Sequence, residues 1–148
     1  MKKSKKSHKI SDHFSKKDFE CKCGDCKHSI RVSLGLVGGL ELLRTLAQKR
    51  ITIKRAFQCP KAAEKEVKFR RNLYATGLAA DIVIADKNIQ EAFLLAEKVP
   101  EFITIGLNLD EDCIHVNTRK DPEKKRWVQK NHEEIILNDE NRPHFFTA

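Results

Sequence analysis

Two residues interrupt apolar runs that would otherwise read as buried strands. In Ala79-Ala80-Asp81-Ile82-Val83-Ile84 a carboxylate breaks the alternation, and in Cys113-Ile114-His115-Val116-Asn117 an imidazole does the same. A carboxylate buried in such a run must be paired, hydrogen-bonded or bound to a metal. If the two strands are neighbours, Asp81 and His115 face one cleft and offer an oxygen and a nitrogen donor suited to zinc. A catalytic zinc takes three protein ligands and a water, so the chemistry turns on a third donor. Glu111 and Asp112 stand just before the second strand. Without a metal, Asp81 is a cap or a buried backbone partner, and His115 a core histidine hydrogen-bonded to Asp81.

Cys21, Cys23 and Cys26 with His28 form a second cluster. A thiolate or imidazole every two or three residues can wrap one tetrahedral ion. The alternatives are one disulfide, within the cluster or to Cys59, and reduced thiols. Five cysteines is an odd number, and the basic start lacks the apolar stretch of a secretory signal, so reduced thiols are the default.

Periodicity supplies the elements that position these residues. Ser15 to Asp18 reads as a capping sequence between Phe14 and Phe19. Ser33 caps a helix over 34–49 whose apolar face carries Leu36, Leu40, Leu43 and Ala47. Gly35, Gly38 and Gly39 weaken that helix, and close packing against another backbone would explain them. Ile51 to Phe57 alternates as a half-buried strand. The stretch 61–71 is a short helix or a surface loop, and Gly77 makes a tight turn into the Asp81 strand. Asp86 is read as the cap of a helix over 88–99. A strand over 102–107 leads by a turn to the His115 strand, Trp127 and Val128 fold back, and Ile135 to Leu137 adds an edge strand. The class is α+β: a small, mainly antiparallel sheet with helices packed on one face. The expected organisation is a basic arm over 1–10, one domain over 11–130 and a C-terminal extension over 131–148.

A chain of 148 residues with 40% hydrophobic and 34% charged residues holds one core and has no run long enough to span a membrane. Net charge is +8, from 29 basic and 21 acidic residues. That favours polyanionic partners, an anionic envelope surface or nucleic acid, without choosing between them. No nucleic-acid-binding motif accompanies the charge. The expected state is a monomer, cytoplasmic as the sequence stands and reaching the envelope on release by lysis or from a longer precursor.

The blocks Ile51-Thr52-Ile53, Cys59-Pro60, Gly77 to Ile82, Ile105-Gly106-Leu107 and Ile114 to Arg119, in that order, resemble the zinc D-Ala-D-Ala carboxypeptidases, peptidoglycan peptidases of the Hedgehog/DD-peptidase fold. Asp12-His13-Phe14 to Phe19 with Cys21-Lys22-Cys23-Gly24 is similar to the start of smaller, often phage-borne members. The resemblance implies a zinc held by the histidine and aspartate of S-x-H-x-x-G-x-A-x-D and a later histidine of H-V-D. On this chain the aspartate falls on Asp81 and the later histidine on His115. The first histidine falls on Tyr74, the serine on Asn72 and the last aspartate on Asn117. The substrate arginine of the family falls on Gln58, and its general base on Asp112 with Glu111 beside it. A neutral phenol is a weak zinc ligand, and a lost fixed cation costs orders of magnitude in rate. The chain is thus identified as a degenerate member that binds cell-wall peptide or another partner through the old cleft without hydrolysis. An active hydrolase remains the alternative, its zinc held by Asp81, His115 and one of Tyr74, Glu111 or Asp112, and a basic nucleic-acid binder is the second alternative.

Overall fold

The computed structural model describes residues 9–23, 30–59 and 73–146. Asn72, Cys26, His28, the stretch 61–71 and most of the basic arm lie outside the described residues. Among the described residues, six strands form one sheet in the order β1-β2-β4-β3-β5-β6. They are β1 (Ile51–Arg55), β2 (Ala79–Ile84), β3 (Thr104–Asn108), β4 (Cys113–Asn117), β5 (Lys125–Lys130) and β6 (Glu133–Ile136). Every pairing is antiparallel except β3 with β5. That parallel pair goes beyond the expected plan and follows from chain direction: β4 runs back beside β3, and the next strand reverses again onto β3's other edge.

Four helices accompany the sheet among the described residues: α1 (Lys16–Phe19), α2 (Leu34–Ala47), α3 (Ile89–Ala96) and α4 (Arg142–Phe145). Strand alternation sends Ala80, Ile82 and Ile84 of β2, Ile105 and Leu107 of β3, and Ile114 and Val116 of β4 into one core. Leu36, Leu40 and Leu43 of α2 and Ala92, Phe93 and Ala96 of α3 complete it. Asp81 and His115, at the intervening positions, therefore project from the sheet face opposite this core.

The caps account for the helix limits. Ser33 Oγ accepts the Leu36 N–H at 3.0 Å, and α2 stops at Gln48, whose φ is 54°. The expected packing role of the α2 glycines holds at Gly39 alone, and against a side chain: a Cβ there would lie 2.6 Å from the Phe102 ring, whereas nothing lies within 4 Å at Gly35 or Gly38. The cap of α3 is Asn88, not Asp86. Asn88 Oδ1 accepts the Glu91 N–H at 2.9 Å, and Glu91 accepts the Asn88 N–H at 3.0 Å. This reciprocal pair satisfies two terminal donors, whereas Asp86 occupies the preceding turn at φ 61° and pairs with Lys49 at 3.2 Å.

The first and last described segments are tied to the domain. At the N-terminal end, Glu41 of α2 accepts Ser11 Oγ at 2.5 Å and the His13 N–H at 2.6 Å. Burial alone would raise its carboxyl, but the Ser11 and His13 hydrogen bonds outweigh burial and hold it below the usual range. At the other end, the expected boundary at residue 131 falls in the turn between paired strands β5 and β6. Arg142 pairs with Glu97, and the Phe146 ring lies 4.9 Å from that of Phe93. Residues 131–146 thus continue the sheet, with the expected edge strand as β6, and pack against α3.

Candidate functional site

One row of residues crosses the face opposite the core. Register places Arg55 opposite Asp81, Asp81 opposite His115, His115 opposite Gly106 and Gly106 opposite Trp127. Arg55 reaches this row through an irregularity in β1 after Ile53, since an inserted residue re-aims the side chains that follow it. A Cβ on Gly106 would lie 2.3 Å from the indole of Trp127. Glycine there lets the indole lie flat over the strand and approach His115, with ring centroids 5.5 Å apart.

The turn before β2 brings in Tyr74. Gly77 has φ 76°, and a Cβ on it would lie 2.5 Å from the Arg31 carbonyl oxygen, so only glycine fits. Its N–H bonds the Tyr74 carbonyl at 3.2 Å, and its carbonyl accepts the Ser33 N–H at 2.9 Å. So anchored, the Tyr74 hydroxyl lies 2.8 and 3.0 Å from the two Asp81 oxygens and 3.1 Å from His115 Nδ1.

The protons of this cluster follow from its partners. Asn117 Oδ1 accepts the Arg119 N–H at 3.3 Å, which turns Asn117 Nδ2 towards His115 Nε2 at 2.9 Å. Nε2 is then the acceptor, and Nδ1–H donates to Asp81 Oδ1 at 2.9 Å. Arg55 completes the charge balance: its Nε lies 3.6 Å from Asp81 Oδ2, its Nη2 lies 3.4 Å from Glu111 Oε1, and its guanidinium stacks 5.4 Å over the Tyr74 ring. Asp81, only 4% exposed, is thereby compensated on all sides.

These residues do not fit a zinc ion in the expected place. The Tyr74 hydroxyl occupies the point on which Asp81 and His115 converge, at hydrogen-bond lengths and not at the roughly 2.0–2.2 Å of zinc–oxygen or zinc–nitrogen bonds. Burial, and secondarily the Asp81 charge, push the phenol well above its usual range, so without an ion Tyr74 is a neutral hydrogen-bond donor. A second donor group, Asp81, Glu111 and Cys113, has ligand atoms within 4.8 Å of one another. An ion there would compete with Arg55 for Glu111 and with Tyr74 for Asp81.

Of the two acidic candidates, Glu111 reaches the cluster through Arg55, whereas Asp112 is exposed in the turn at φ 56°. Gln58 is buried beside the site, its backbone N–H bonded to the Tyr74 carbonyl at 3.3 Å. Asn117 holds the imidazole as described, while Asn72 lies outside the described residues. Among the cysteines, Cys21 and Cys23 are joined by Cys59, with the three sulfurs within 4.8 Å of one another. Arg55 and Trp127 were not among the residues expected at the site. The lone Gly106 inside a strand was the available signal for the Trp127 contact, while nothing local marks the β1 irregularity that turns Arg55 inward.

The chain has a single tyrosine, which makes its ionisation directly observable. Because the folded phenol titrates well above the unfolded value of about 10, its contribution to stability is complete below that pH and is lost as pH rises towards the folded value. Tyrosinate absorbance is therefore expected to appear only together with alkaline unfolding. A reversible absorbance step near pH 10 in folded protein would contradict the buried hydroxyl.

Comparison with protein-family models, with curated proteins and with solved structures gives no match.

Proposed function

We propose that this chain is a peptidoglycan-peptidase-like domain that binds peptide without cleaving it, through the cleft formed by Arg55, Tyr74, His115 and Trp127. The observation that carries this reading is the Tyr74 hydroxyl bridging both Asp81 oxygens and His115 Nδ1. It fills by hydrogen bonding the point at which a zinc peptidase needs its ion, and without the ion no water is acidified and no carbonyl polarised. What remains suits recognition: a part-exposed guanidinium for a carboxylate, and aromatic faces for a peptide backbone. The ligand proposed is a cell-wall stem peptide ending in D-alanine.

The alternative, hydrolysis with an altered ligand set, draws on the proximity of Asp81, Glu111 and Cys113. Titrating the protein with a D-Ala-D-Ala-terminated peptide and following its NMR signals separates the two. Binding alone should shift the Trp127 indole and His115 ring resonances while the peptide stays intact. Unshifted cleft resonances would overturn the binding role, and D-alanine appearing in the sample would overturn the loss of hydrolysis.

A further inference from the structure

We propose that Cys21, Cys23 and Cys59 form a three-sulfur site for one thiophilic divalent cation of the zinc class, pinning the segment after α1 to the segment after β1. The site is independent of the peptide cleft. The Cys23 and Cys59 sulfurs lie 3.5 Å apart, and all three lie within 4.8 Å of one another. Tetrahedral zinc with bonds of about 2.3 Å holds its sulfurs about 3.8 Å apart, so small side-chain adjustments close the three around one ion. A backbone amide already points at the cluster: the Cys59 N–H donates to Cys21 Sγ at 3.3 Å, the kind of partner that orients a metal-bound thiolate.

A disulfide accounts for the cluster less well. It would join two sulfurs and leave the third buried beside them, whereas a cation uses all three. On binding, each thiol releases its proton to solvent and no electrons are exchanged, so the trio with a divalent ion carries one net negative charge. The fourth tetrahedral position falls to a donor outside the trio, water in the simplest case. The neighbouring backbone gives the site a structural role. The Phe57 N–H bonds the Phe19 carbonyl at 3.2 Å and the Gln58 N–H bonds the Tyr74 carbonyl at 3.3 Å, so the ion would brace the segment against which Tyr74 is held.

The test uses the full chain, reduced and purified without chelator, and titrated with cobalt(II) as a spectroscopic substitute for zinc. One cobalt per chain is expected, with thiolate-to-cobalt charge-transfer absorption. Cys21→Ser, Cys23→Ser and Cys59→Ser should each weaken binding at least about tenfold, while Cys113→Ser should leave it unchanged. Alkylation of the unmutated protein, read by mass spectrometry, guards against misfolded variants: zinc should slow modification of Cys21, Cys23 and Cys59 together and leave Cys113 unaffected. Absence of cobalt uptake, a band that survives Cys59→Ser, a band lost in Cys113→Ser, unchanged alkylation, or a Cys23–Cys59 disulfide persisting in reductant would each overturn the proposal.

Discussion

Asp81→Ala is expected to lower the unfolding free energy by roughly 3–5 kcal/mol, the cost of removing one member of a buried, compensated charge cluster. The carboxylate accepts from the Tyr74 hydroxyl and from His115 Nδ1–H, and it lies 3.6 Å from Arg55 Nε. Alanine leaves the hydroxyl and the ring N–H without their acceptor and frees space that neither can fill. In a chain of this size the thermal midpoint should fall by roughly 10 °C. Tyr74→Phe should cost less, about 1–2 kcal/mol, because His115 and Arg55 still compensate the carboxylate. Denaturant melts of the two variants check the ranking. Equal losses would mean that Asp81 is held chiefly by the hydroxyl, and no loss for Asp81→Ala would remove the cluster from the account of stability.

Tyr74→His is expected to strengthen zinc binding in the cleft. A tyrosine hydroxyl reaches about 2 Å farther from the backbone than an imidazole nitrogen, close to the length of a zinc–nitrogen bond. Shortening the side chain should therefore open room for an ion between residue 74, Asp81 and His115. His115 Nδ1 must then lose its proton, and Asn117 must turn its amide oxygen towards Nε2–H, giving up its bond from the Arg119 N–H. Even with that cost, replacing a neutral phenol by an imidazole adds a full ligand, and zinc affinity in the cleft should rise on the order of a hundredfold or more. The comparison is made in a Cys59→Ser background, so that ions held by the cysteine trio are not counted. Equal zinc content with and without the exchange would show that residue 74 does not control the site.

The central pairing was legible because it is local pattern on neighbouring strands. A polar residue breaking an apolar alternation must find its partner across the sheet, and Asp81 does face His115. The α2 cap at Ser33 and the Gly77 turn were readable for the same reason, since each depends on a few consecutive residues. The choice between Asp86 and Asn88 as the α3 cap was also written locally: only Asn88 has a glutamate three residues on, Glu91, to complete the reciprocal bonds. The rest depends on distance in sequence. Trp127 reaches His115 only because β5 lies parallel beside β3 and Gly106 carries no side chain. Arg55 joins the cluster through an irregularity that a binary pattern does not record. Cys59 completes the sulfur trio from far along the chain, and spacing among Cys21, Cys23 and Cys26 could not rank it above its near neighbours. The parity of a strand tells which face a residue occupies, but not which acidic residue of the following turn leans inward, hence Glu111 at the cluster and Asp112 in solvent.

The most direct measurement is D-alanine release from a D-Ala-D-Ala-terminated peptide by the chain supplied with zinc. With the Tyr74 hydroxyl seated between Asp81 and His115, the expected rate equals that of the zinc-containing buffer alone. Release well above the buffer rate that disappears in Asp81→Ala would contradict the account.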